Sequence, residues 1–194
     1  PECEFPLNLY AFTKHLFDCH VRNVLPVCGS QVVGLRYFNV FGPQEVHKGR
    51  MASMVFHAFH QVRQTGAIKL FEGSGGYGPG GQKRDFLSVG DAVRVNLFFL
   101  ENPGKSGIFN CGTGVSRTFA SLAEAVIASM KQGRIEYVPF PEDLMNKYQS
   151  FTEADLEKLR NAGYRGEFDS LETAVSEYVD KLSKKQGYLF GEAS

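Results

Sequence analysis

Segments typical of strands alternate with segments typical of helices along nearly all of this 194-residue chain. Strands are predicted at residues 31–38, 68–72, 86–89, 107–111 and 134–138, from short apolar or β-branched runs bounded by turn-forming residues. Helices are predicted at 8–25, 51–65, 92–101, 118–130, 152–162 and 171–184. Because strands that are joined by helices usually lie parallel, the alternation predicts an α/β fold: a largely parallel sheet covered by helices, with a smaller mixed lobe in the second half.

Capping residues support three of the predicted helix boundaries. Gly66 closes the helix at 51–65, and Asp91 precedes the helix at 92–101 as its N-cap. The residues from Thr152 to Asp155 have the spacing of a capping box at the start of the helix at 152–162.

The balance of charge and the cysteine spacing exclude several classes of function. Lys and Arg together number 21, as do Asp and Glu, so no net field attracts nucleic acid or an anionic membrane. The four cysteines, Cys3, Cys19, Cys28 and Cys111, show no Cys-x-x-Cys spacing, which argues against a zinc site or a disulfide framework and favours reduced thiols in a cytoplasmic protein. No apolar run approaches the roughly 20 residues of a membrane span. The chain does not begin with Met, so we expect a piece of a longer protein.

The stretch at 32–43 marks a place where a ligand is expected to bind. Its β-branched and aromatic run stops at Asn39, and the Gly-Pro pair that follows cannot continue a strand, so the chain is expected to leave a sheet edge here. Ligands of open α/β sheets bind beyond the carboxyl ends of the strands. Asn39 and, in the loop that follows the stretch, Lys48 and Arg50 are therefore candidate ligand contacts. An ordinary surface loop with a solvated Lys and Arg fits the same residues.

Tyr10 and Lys14 lie four residues apart on the first predicted helix, so their side chains share one face. An ammonium beside a phenol favours the phenolate and lowers the tyrosine pKa towards neutrality, which suits removal of a proton from an alcohol. A chain with eight tyrosines acquires such a pair by chance often enough that the pair alone is weak support for this chemistry.

A glycine-rich segment at 73–81 matches the letters of a dinucleotide-binding fingerprint at Gly73, Gly75 and Gly78. The fingerprint requires a helix to begin directly after the glycines, whereas Pro79 and two further glycines follow here, so we reject a pyrophosphate site. Two interpretations of the segment remain: a loop that covers a ligand, with Arg84 as the anion contact, or a disordered surface loop.

Two histidines, His57 and His60, lie three residues apart on a predicted helix and could share a metal ion. No third ligand accompanies them in the sequence, so a structural or substrate-contacting histidine is the better interpretation and no metal site is predicted.

Three motifs, each weak alone, resemble the extended short-chain dehydrogenase/reductase family in their order and spacing. They are Tyr10-x-x-x-Lys14, the segment at 36–43 and the segment at 83–91. Within that family the chain is most similar to the nucleotide-sugar epimerases that invert the C6″ carbon of an ADP-heptose, through the segments 6–10, 47–49, 51–53, 70–74 and 135–141. The likeness covers about residues 4–184, nearly the whole chain.

The resemblance implies the carboxyl-terminal part of a Rossmann-like parallel sheet, joined to a smaller mixed α/β substrate-binding lobe. Residues 1–45 would end the dinucleotide-binding domain, residues 46–186 would form mainly the substrate-binding lobe with a returning sheet element, and 187–194 would be a tail. The resemblance further implies a cytoplasmic homo-oligomer that uses NADP, or alternatively NAD, on an ADP-sugar destined for lipopolysaccharide. Nucleic acid and membranes are not expected as partners.

By position, the resemblance assigns roles to individual residues. Tyr10 and Lys48 match the two acid/base groups that serve opposite sides of a carbonyl intermediate, and Lys14 matches the residue that holds the nicotinamide ribose. Val40 matches a further cofactor contact, beside Tyr10, Lys14 and Lys48. The family's substrate contacts correspond to Asn39, Arg50, His57, Phe71, Glu72, Gly73, Ser74, Arg84 and Tyr148. Arg84 suits the substrate diphosphate because a guanidinium binds phosphate oxygens in bidentate fashion.

The chain departs from the pattern of that family in two places and lacks one part of it. Arg50 stands where a small Ser is usual, and the loop at 75–82 is longer than usual. The glycine fingerprint and the catalytic Ser or Thr of the family's amino-terminal half are not among these residues, so the chain by itself is expected to be inactive. A nucleotide-sugar 4-epimerase, a 4,6-dehydratase and a non-catalytic nucleotide-sugar-binding module remain as alternatives.

Overall fold

The structure is a computed structural model that describes residue 6 and residues 8–141 and 148–185. Cys3 and the predicted tail at 187–194 lie outside the described residues. In the part that is described, Cys19, Cys28 and Cys111 are free thiols. Across the same residues, no helix has both the length and the apolar character that crossing a membrane requires.

Helices and strands alternate through the described chain, as the sequence predicts. The helices are α1 Leu9–Val24, α2 Met54–Thr65, α3 Val89–Glu101, α4 Phe119–Met130, α5 Glu157–Asn161 and α6 Leu171–Lys185. The strands are β1 Val33–Tyr37, β2 Asn39–Phe41, β3 Ala67–Phe71, β4 Lys83–Ser88, β5 Gly107–Cys111, β6 Ser116–Thr118 and β7 Arg134–Val138. Short 3₁₀ helices follow α1 at Leu25–Val27 and precede α2 at Val46–Met51.

The described strands form three small sheets dominated by parallel pairs, which confirms the predicted α/β class. β1 pairs in parallel with β5, from Val33 opposite Gly107 to Tyr37 opposite Cys111. β2 pairs in parallel with β4, and β3 pairs in parallel with β7. β6, which the sequence did not predict, runs antiparallel to β4. The sheet is therefore divided into separate pieces, where a single largely parallel sheet was expected.

Two apolar clusters hold the helices against these sheets. The larger one joins α2, α4 and α6 around β3, through fully buried side chains such as Val55, Leu122 and Val175. The smaller one joins α3 to β5, with the Phe99 and Phe109 ring centres 4.6 Å apart. Each fully buried side chain of this size stabilises the fold by about 1.5–3 kcal/mol. The clusters therefore fix the strands whose ends carry the candidate site.

The first strand ends before Asn39 as predicted, but the expectation that the chain leaves the sheet there is wrong. Asn39–Phe41 form β2, which pairs with Phe86–Ser88 of β4, so the chain passes from one sheet to another instead of leaving the sheet. Phe38 marks the crossover, and its N–H donates to the Cys111 carbonyl oxygen at 3.0 Å. Gly42, with a φ of 150°, then ends β2.

Helix α2 begins later than the prediction of a start at residue 51. The Ser53 hydroxyl oxygen accepts a hydrogen bond from the Phe56 N–H at 3.3 Å and caps the helix, which begins at Met54. Its predicted carboxyl end is confirmed, because Gly66 adopts a left-handed φ of 74° directly after Thr65.

The prediction that Asp91 caps helix α3 is wrong, because Ser88 is the N-cap. The Ser88 hydroxyl oxygen accepts a hydrogen bond from the Asp91 N–H at 3.0 Å and donates to the Asp91 carboxylate at 2.8 Å. The helix therefore begins at Val89, and Asp91 lies buried in its first turn.

The capping box predicted at 152–155 is also wrong, since only Glu157–Asn161 are helical in that region. The Thr152 hydroxyl oxygen accepts a hydrogen bond from the Asp85 N–H at 3.3 Å, and the Glu153 carboxylate accepts one from the Ser116 N–H at 3.0 Å. Both side chains therefore bind other segments of the chain and do not cap a helix.

One edge of β1 is open in the described part of the chain. β1 has β5 as its neighbour on one side and no described strand on the other. The helices α1 and α3 also carry exposed apolar side chains, at Leu9, Phe12, Leu16 and Phe17 of α1 and at Val93, Leu97 and Leu100 of α3. A cavity of about 440 Å³ lies beside β1, between residues of β1 and α3. Exposed apolar surface of this extent is typical of a face that another segment covers.

Candidate active site

The first two turns of α1 carry Tyr10 and Lys14. Asn8 caps this helix, because its side-chain oxygen accepts a hydrogen bond from the Ala11 N–H at 2.9 Å. As the spacing predicts, the two side chains meet, with the Lys14 Nζ 5.4 Å from the centre of the Tyr10 ring. Tyr10 is 71% exposed and Lys14 is exposed as well, so both are accessible to a ligand.

A closed loop carries Lys48. The carboxylate of Glu45, which is only 2% exposed, accepts hydrogen bonds from the Ser53 N–H at 2.7 Å and the Ser53 hydroxyl at 2.6 Å. Within the loop, the Lys48 N–H donates to the Glu45 carbonyl oxygen at 2.9 Å, and Gly49 turns the chain with a φ of 53°. Lys48 is exposed. Its amine therefore extends from a loop whose two ends are tied together.

Arg50 and His57 meet at the start of α2. The His57 Nε2 lies 3.3 Å from the Arg50 carbonyl oxygen, and the Arg50 side chain is exposed. His60 packs against Phe56 with ring centres 4.4 Å apart, and burial lowers its pKa. The described residues hold no group of three His, Cys, Asp or Glu side chains arranged to bind a metal ion.

Arg84 is a buried cation that forms no ion pair with a described carboxylate. Arg84 is only 7% exposed, and its Nη1 donates a hydrogen bond to the Lys83 carbonyl oxygen at 2.9 Å. The guanidinium carbon lies 5.2 Å from the centre of the Tyr148 ring and 5.7 Å from that of Phe119. Burial lowers the pKa of this guanidinium, although arginine stays protonated in proteins. A buried charge in these surroundings favours an anionic ligand.

An aromatic row connects Arg84 to the end of β3. The Tyr148 ring, beside Arg84, packs edge-on against Phe140 with centres 5.4 Å apart, and Phe140 packs against Phe71 at 5.3 Å. Burial raises the pKa of the Tyr148 phenol, so the phenol is a neutral hydrogen-bond donor near pH 7. Three of the predicted substrate contacts, Phe71, Arg84 and Tyr148, are thus joined through ring contacts.

The glycine-rich loop folds back on the end of β3. The Gly80 N–H donates to the Phe71 carbonyl oxygen at 2.9 Å, and the Tyr77 N–H donates to the Ser74 carbonyl oxygen at 3.2 Å. A Cβ at Gly73 would lie 1.6 Å from the Tyr77 carbonyl oxygen, so only glycine fits there. After the loop the chain enters β4, so the helix that a pyrophosphate-binding fingerprint requires does not follow these glycines.

The remaining predicted contacts lie on or beside strand ends. Asn39 is exposed on β2, and Val40 beside it packs against the smaller apolar cluster. Glu72 follows β3, with its side chain exposed and its N–H donating to the Val138 carbonyl oxygen at 2.8 Å.

The contacts of the predicted site residues form separate groups. They are Tyr10 with Lys14, Arg50 with His57, and Phe71 with Arg84 and Tyr148 through the aromatic row. Among the described residues, no hydrogen bond, ion pair or ring contact joins Lys48 to these groups. The convergence of Tyr10 and Lys48 on one cleft therefore stays a prediction.

Three residues that organise the site were missed from the sequence. Ser53 carries a recognisable signal, since a Ser directly before an apolar helical run is a common N-cap. Glu45 and Asp85 carry no such signal, because their partners become neighbours only in the folded chain.

Comparison with known proteins finds a matching family model and a similar curated protein. A family model described as the NAD dependent epimerase/dehydratase family matches residues 2–112. A curated ADP-L-glycero-D-manno-heptose-6-epimerase from Alkalilimnicola ehrlichii is 52% identical over 183 residues, which are 94% of this chain and 57% of that protein.

Two solved structures of epimerases are also similar to this chain. An ADP-L-glycero-D-manno-heptose-6-epimerase from Helicobacter pylori superposes with a TM-score of 0.75 at 29% identity, covering 93% of this chain and 53% of that one. A UDP-glucose 4-epimerase from Thermus thermophilus, in complex with NAD, superposes with a TM-score of 0.72 at 25% identity, covering 90% and 54%. The chain thus spans little more than half the length of these relatives.

Proposed function

Since the chain belongs to the NAD dependent epimerase/dehydratase family, in line with the predicted resemblance, we propose that it forms part of an NADP-dependent ADP-heptose epimerase. The reaction converts ADP-D-glycero-D-manno-heptose into ADP-L-glycero-D-manno-heptose by inverting C6″, for lipopolysaccharide core biosynthesis. The name of the relative that is 52% identical supports this reaction, and so do the residues of the candidate site.

The observation that best supports an ADP-sugar substrate is the buried guanidinium of Arg84. A substrate diphosphate supplies the negative charge that no described carboxylate brings to this group in an ion pair. The rings of Tyr148 and Phe119 hold the guanidinium plane. Because the surroundings exclude water, the attraction between guanidinium and phosphate is stronger than at an exposed site.

Tyr10 and Lys48 carry the proton transfers in this proposal. Tyr10 removes the proton of the C6″ hydroxyl at its phenol oxygen, and Lys14, whose ammonium lies over the Tyr10 ring, holds a ribose hydroxyl. Once the carbonyl intermediate has turned, its oxygen faces Lys48, which returns a proton from Nζ. An inversion at one carbon needs a group on each side, and the closed loop presents the second one.

The substrate's sugar and nucleotide are assigned to the remaining contacts. Asn39, Arg50 and His57 surround the heptose, and the exposed Arg50 side chain brings a charge that bears on substrate choice. The end of β3, from Phe71 to Ser74, and the Tyr148 ring line the path towards Arg84.

The described residues fit one part of NADP and not the rest. Tyr10, Lys14 and Lys48 are exposed, and they offer a hydroxyl and two ammonium groups to the nicotinamide ribose. Val40, on β2, is the fourth proposed cofactor contact. The chemistry that NADP would supply there, when bound, is acceptance and return of the hydride of C6″. The glycines at 73–78 lead into β4, so they do not hold a pyrophosphate. NAD in place of NADP is the alternative, since no described residue is assigned to select between them.

The pyrophosphate site belongs, in this proposal, to an amino-terminal half that pairs with the open edge of β1. That half would cover the exposed apolar faces of α1 and α3 and the cavity beside β1. The 194 residues alone are therefore expected to be inactive, and turnover by them would contradict this expectation. The family resemblance also supports a cytoplasmic location and a homo-oligomer, and light scattering of the complete protein tests the oligomeric state.

A substrate panel tests the proposed reaction. The complete protein is incubated with NADP and ADP-D-glycero-D-manno-heptose, and NMR spectroscopy follows the configuration at C6″. We expect both epimers to appear, while UDP-glucose and dTDP-glucose stay unchanged. Turnover of UDP-glucose or dTDP-glucose instead would indicate a 4-epimerase or a 4,6-dehydratase. Binding of the ADP-sugar without product and without NADP binding would indicate a non-catalytic module.

A further inference from the structure

Asp85, the neighbour of Arg84 on β4, is a fully buried carboxylate that accepts four hydrogen bonds. One oxygen accepts from the Thr113 N–H at 2.8 Å and the Thr113 hydroxyl at 2.7 Å. The other accepts from the Gly114 N–H at 2.9 Å and the Ala154 N–H at 3.1 Å. No described Lys or Arg forms an ion pair with Asp85, so these donors alone offset its loss of water.

These bonds join three segments that are distant in sequence. Thr113 and Gly114 turn the chain after β5, and Ala154 belongs to the segment at 148–154. Gly112 permits the close approach, because a Cβ there would lie 2.6 Å from both the Asp85 Oδ2 and the Ala154 Cβ. The carboxylate therefore lies at the junction of β4, the turn after β5 and the segment that contains Tyr148.

The segment at 148–154 is held in register beside β4. The Lys83 N–H donates to the Ser150 carbonyl oxygen at 2.9 Å, and the Thr152 N–H donates to the Lys83 carbonyl oxygen at 3.2 Å. The Asp85 N–H donates to the Thr152 hydroxyl oxygen at 3.3 Å, and the Asp85 carboxylate then fixes the end of the segment. Tyr148 precedes this ladder by two residues, where its ring lies 5.2 Å from the Arg84 guanidinium. A slip of the segment along β4 would separate that ring from Arg84.

We propose that Asp85 is a positioning residue for substrate binding: its carboxylate fixes the segment at 148–154 in register with β4 and so holds Tyr148 against Arg84. The inference rests on the proposed contact between Arg84 and the substrate diphosphate. A carboxylate suits this role because each of its oxygens accepts two bonds here, whereas a neutral amide offers one acceptor oxygen and places N–H groups against a donor.

Calorimetric titration with ADP-glucose tests the inference, using the complete protein saturated with NADP so that the cofactor site does not bind the probe. We expect Asp85→Asn to weaken binding roughly tenfold, the size of one charge-assisted hydrogen bond, and Thr152→Val to weaken it about threefold. Glu153→Gln is the matched control, because this exposed neighbour does not contact Asp85 and its amide oxygen can still accept the hydrogen bond from the Ser116 N–H. It is expected to leave the affinity unchanged.

A double variant shows whether Asp85 acts through Tyr148. In a Tyr148→Ala background, Asp85→Asn is expected to weaken binding no further, because the ring that it positions is already gone. If the role of Asp85 is merely structural, Asp85→Asn weakens ADP-glucose binding by the same factor in both backgrounds, or lowers Tm while the affinity stays unchanged. Either result overturns the inference. If Asp85→Asn does not fold, Thr152→Val in the same two backgrounds decides the question.

Failure of the proposed function has a different signature. If Arg84→Met binds ADP-glucose as tightly as the wild type, the assignment of Arg84 to the diphosphate is wrong and the inference about Asp85 falls with it. If Arg84→Met loses binding while Asp85→Asn and Thr152→Val keep it, the inference about Asp85 alone is overturned.

Discussion

Replacement of Arg84 by Met is expected to weaken substrate binding without weakening the fold. Arg84 is 7% exposed, and burial lowers its pKa, which means that the folded state disfavours the charged form. Met fills a similar volume without the charge, and replacing buried charges by apolar side chains is often neutral or stabilising. The lost ring contacts with Tyr148 and Phe119 act in the opposite direction. We therefore expect the free energy of unfolding to change by no more than about 1 kcal/mol.

Binding of the ADP-heptose is expected to fall much more. A hydrogen bond to a charged group contributes about 1.5–3 kcal/mol, and about 1.4 kcal/mol corresponds to a factor of ten in a dissociation constant. Arg84→Met is therefore expected to raise KM for the ADP-heptose about 10- to 150-fold. Arg84→Lys restores the charge but not the bidentate geometry, so its KM is expected to lie between the two.

Arg117 offers a matched control for Arg84. It lies opposite Arg84 in the ladder between β4 and β6, but it forms an ion pair with Glu172. Arg117→Met is expected to leave KM unchanged and to change the free energy of unfolding by about 1 kcal/mol or less. Steady-state kinetics and urea unfolding of the complete protein measure both quantities. A wild-type KM in Arg84→Met refutes the reasoning, and so does a loss of stability above about 3 kcal/mol, which would indicate a broken buried ion pair.

Two further predictions concern proton transfer and the loop that carries Lys48. Tyr10→Phe is expected to lower kcat by about 10²- to 10⁴-fold with little change in KM, and an unchanged kcat excludes Tyr10 as the base. Because Tyr10 is 71% exposed, the same variant is expected to keep its free energy of unfolding within about 0.5 kcal/mol of the wild type. Ser53→Ala removes the cap of α2 and a donor to the buried Glu45 carboxylate, so urea unfolding is expected to show a loss of about 1–3 kcal/mol, together with a lower kcat. Ser129→Ala, which removes a hydroxyl within α4, is its control, and equal losses in the two variants contradict the role given to Ser53.

The elements that the sequence predicted correctly are those with local signals. The helix α4 begins after Thr118 and ends at Met130 as predicted, because Thr118 caps it with its own hydroxyl, 2.9 Å from the Ser121 N–H. The strands β5 and β7 also have their predicted bounds. In each case the residues that signal the boundaries lie within the element or directly beside it, although β5 and β7 pair with strands that are distant in sequence.

The starts of α2 and α3 were missed although their caps, Ser53 and Ser88, are local, whereas two other wrong predictions depend on partners that are distant in sequence. Asn39 continues in a strand because β4 lies beside it, and Thr152 fails to cap a helix because Asp85 takes its hydroxyl. The site follows the same rule. The pairing of Tyr10 with Lys14 was predictable from helical spacing, whereas the burial of Arg84 between Tyr148 and Phe119 requires three segments of the folded chain.

A crystal structure of the complete protein with NADP and an ADP-heptose bound tests the proposed epimerase most directly. We expect Tyr10 and Lys48 to flank C6″ from opposite sides, with one of their polar atoms within about 3.2 Å of the C6″ oxygen. The Arg84 guanidinium is expected within about 3 Å of a diphosphate oxygen. Tyr10 and Lys48 on opposite sides of the molecule, with no cavity between them, would contradict the proposed mechanism.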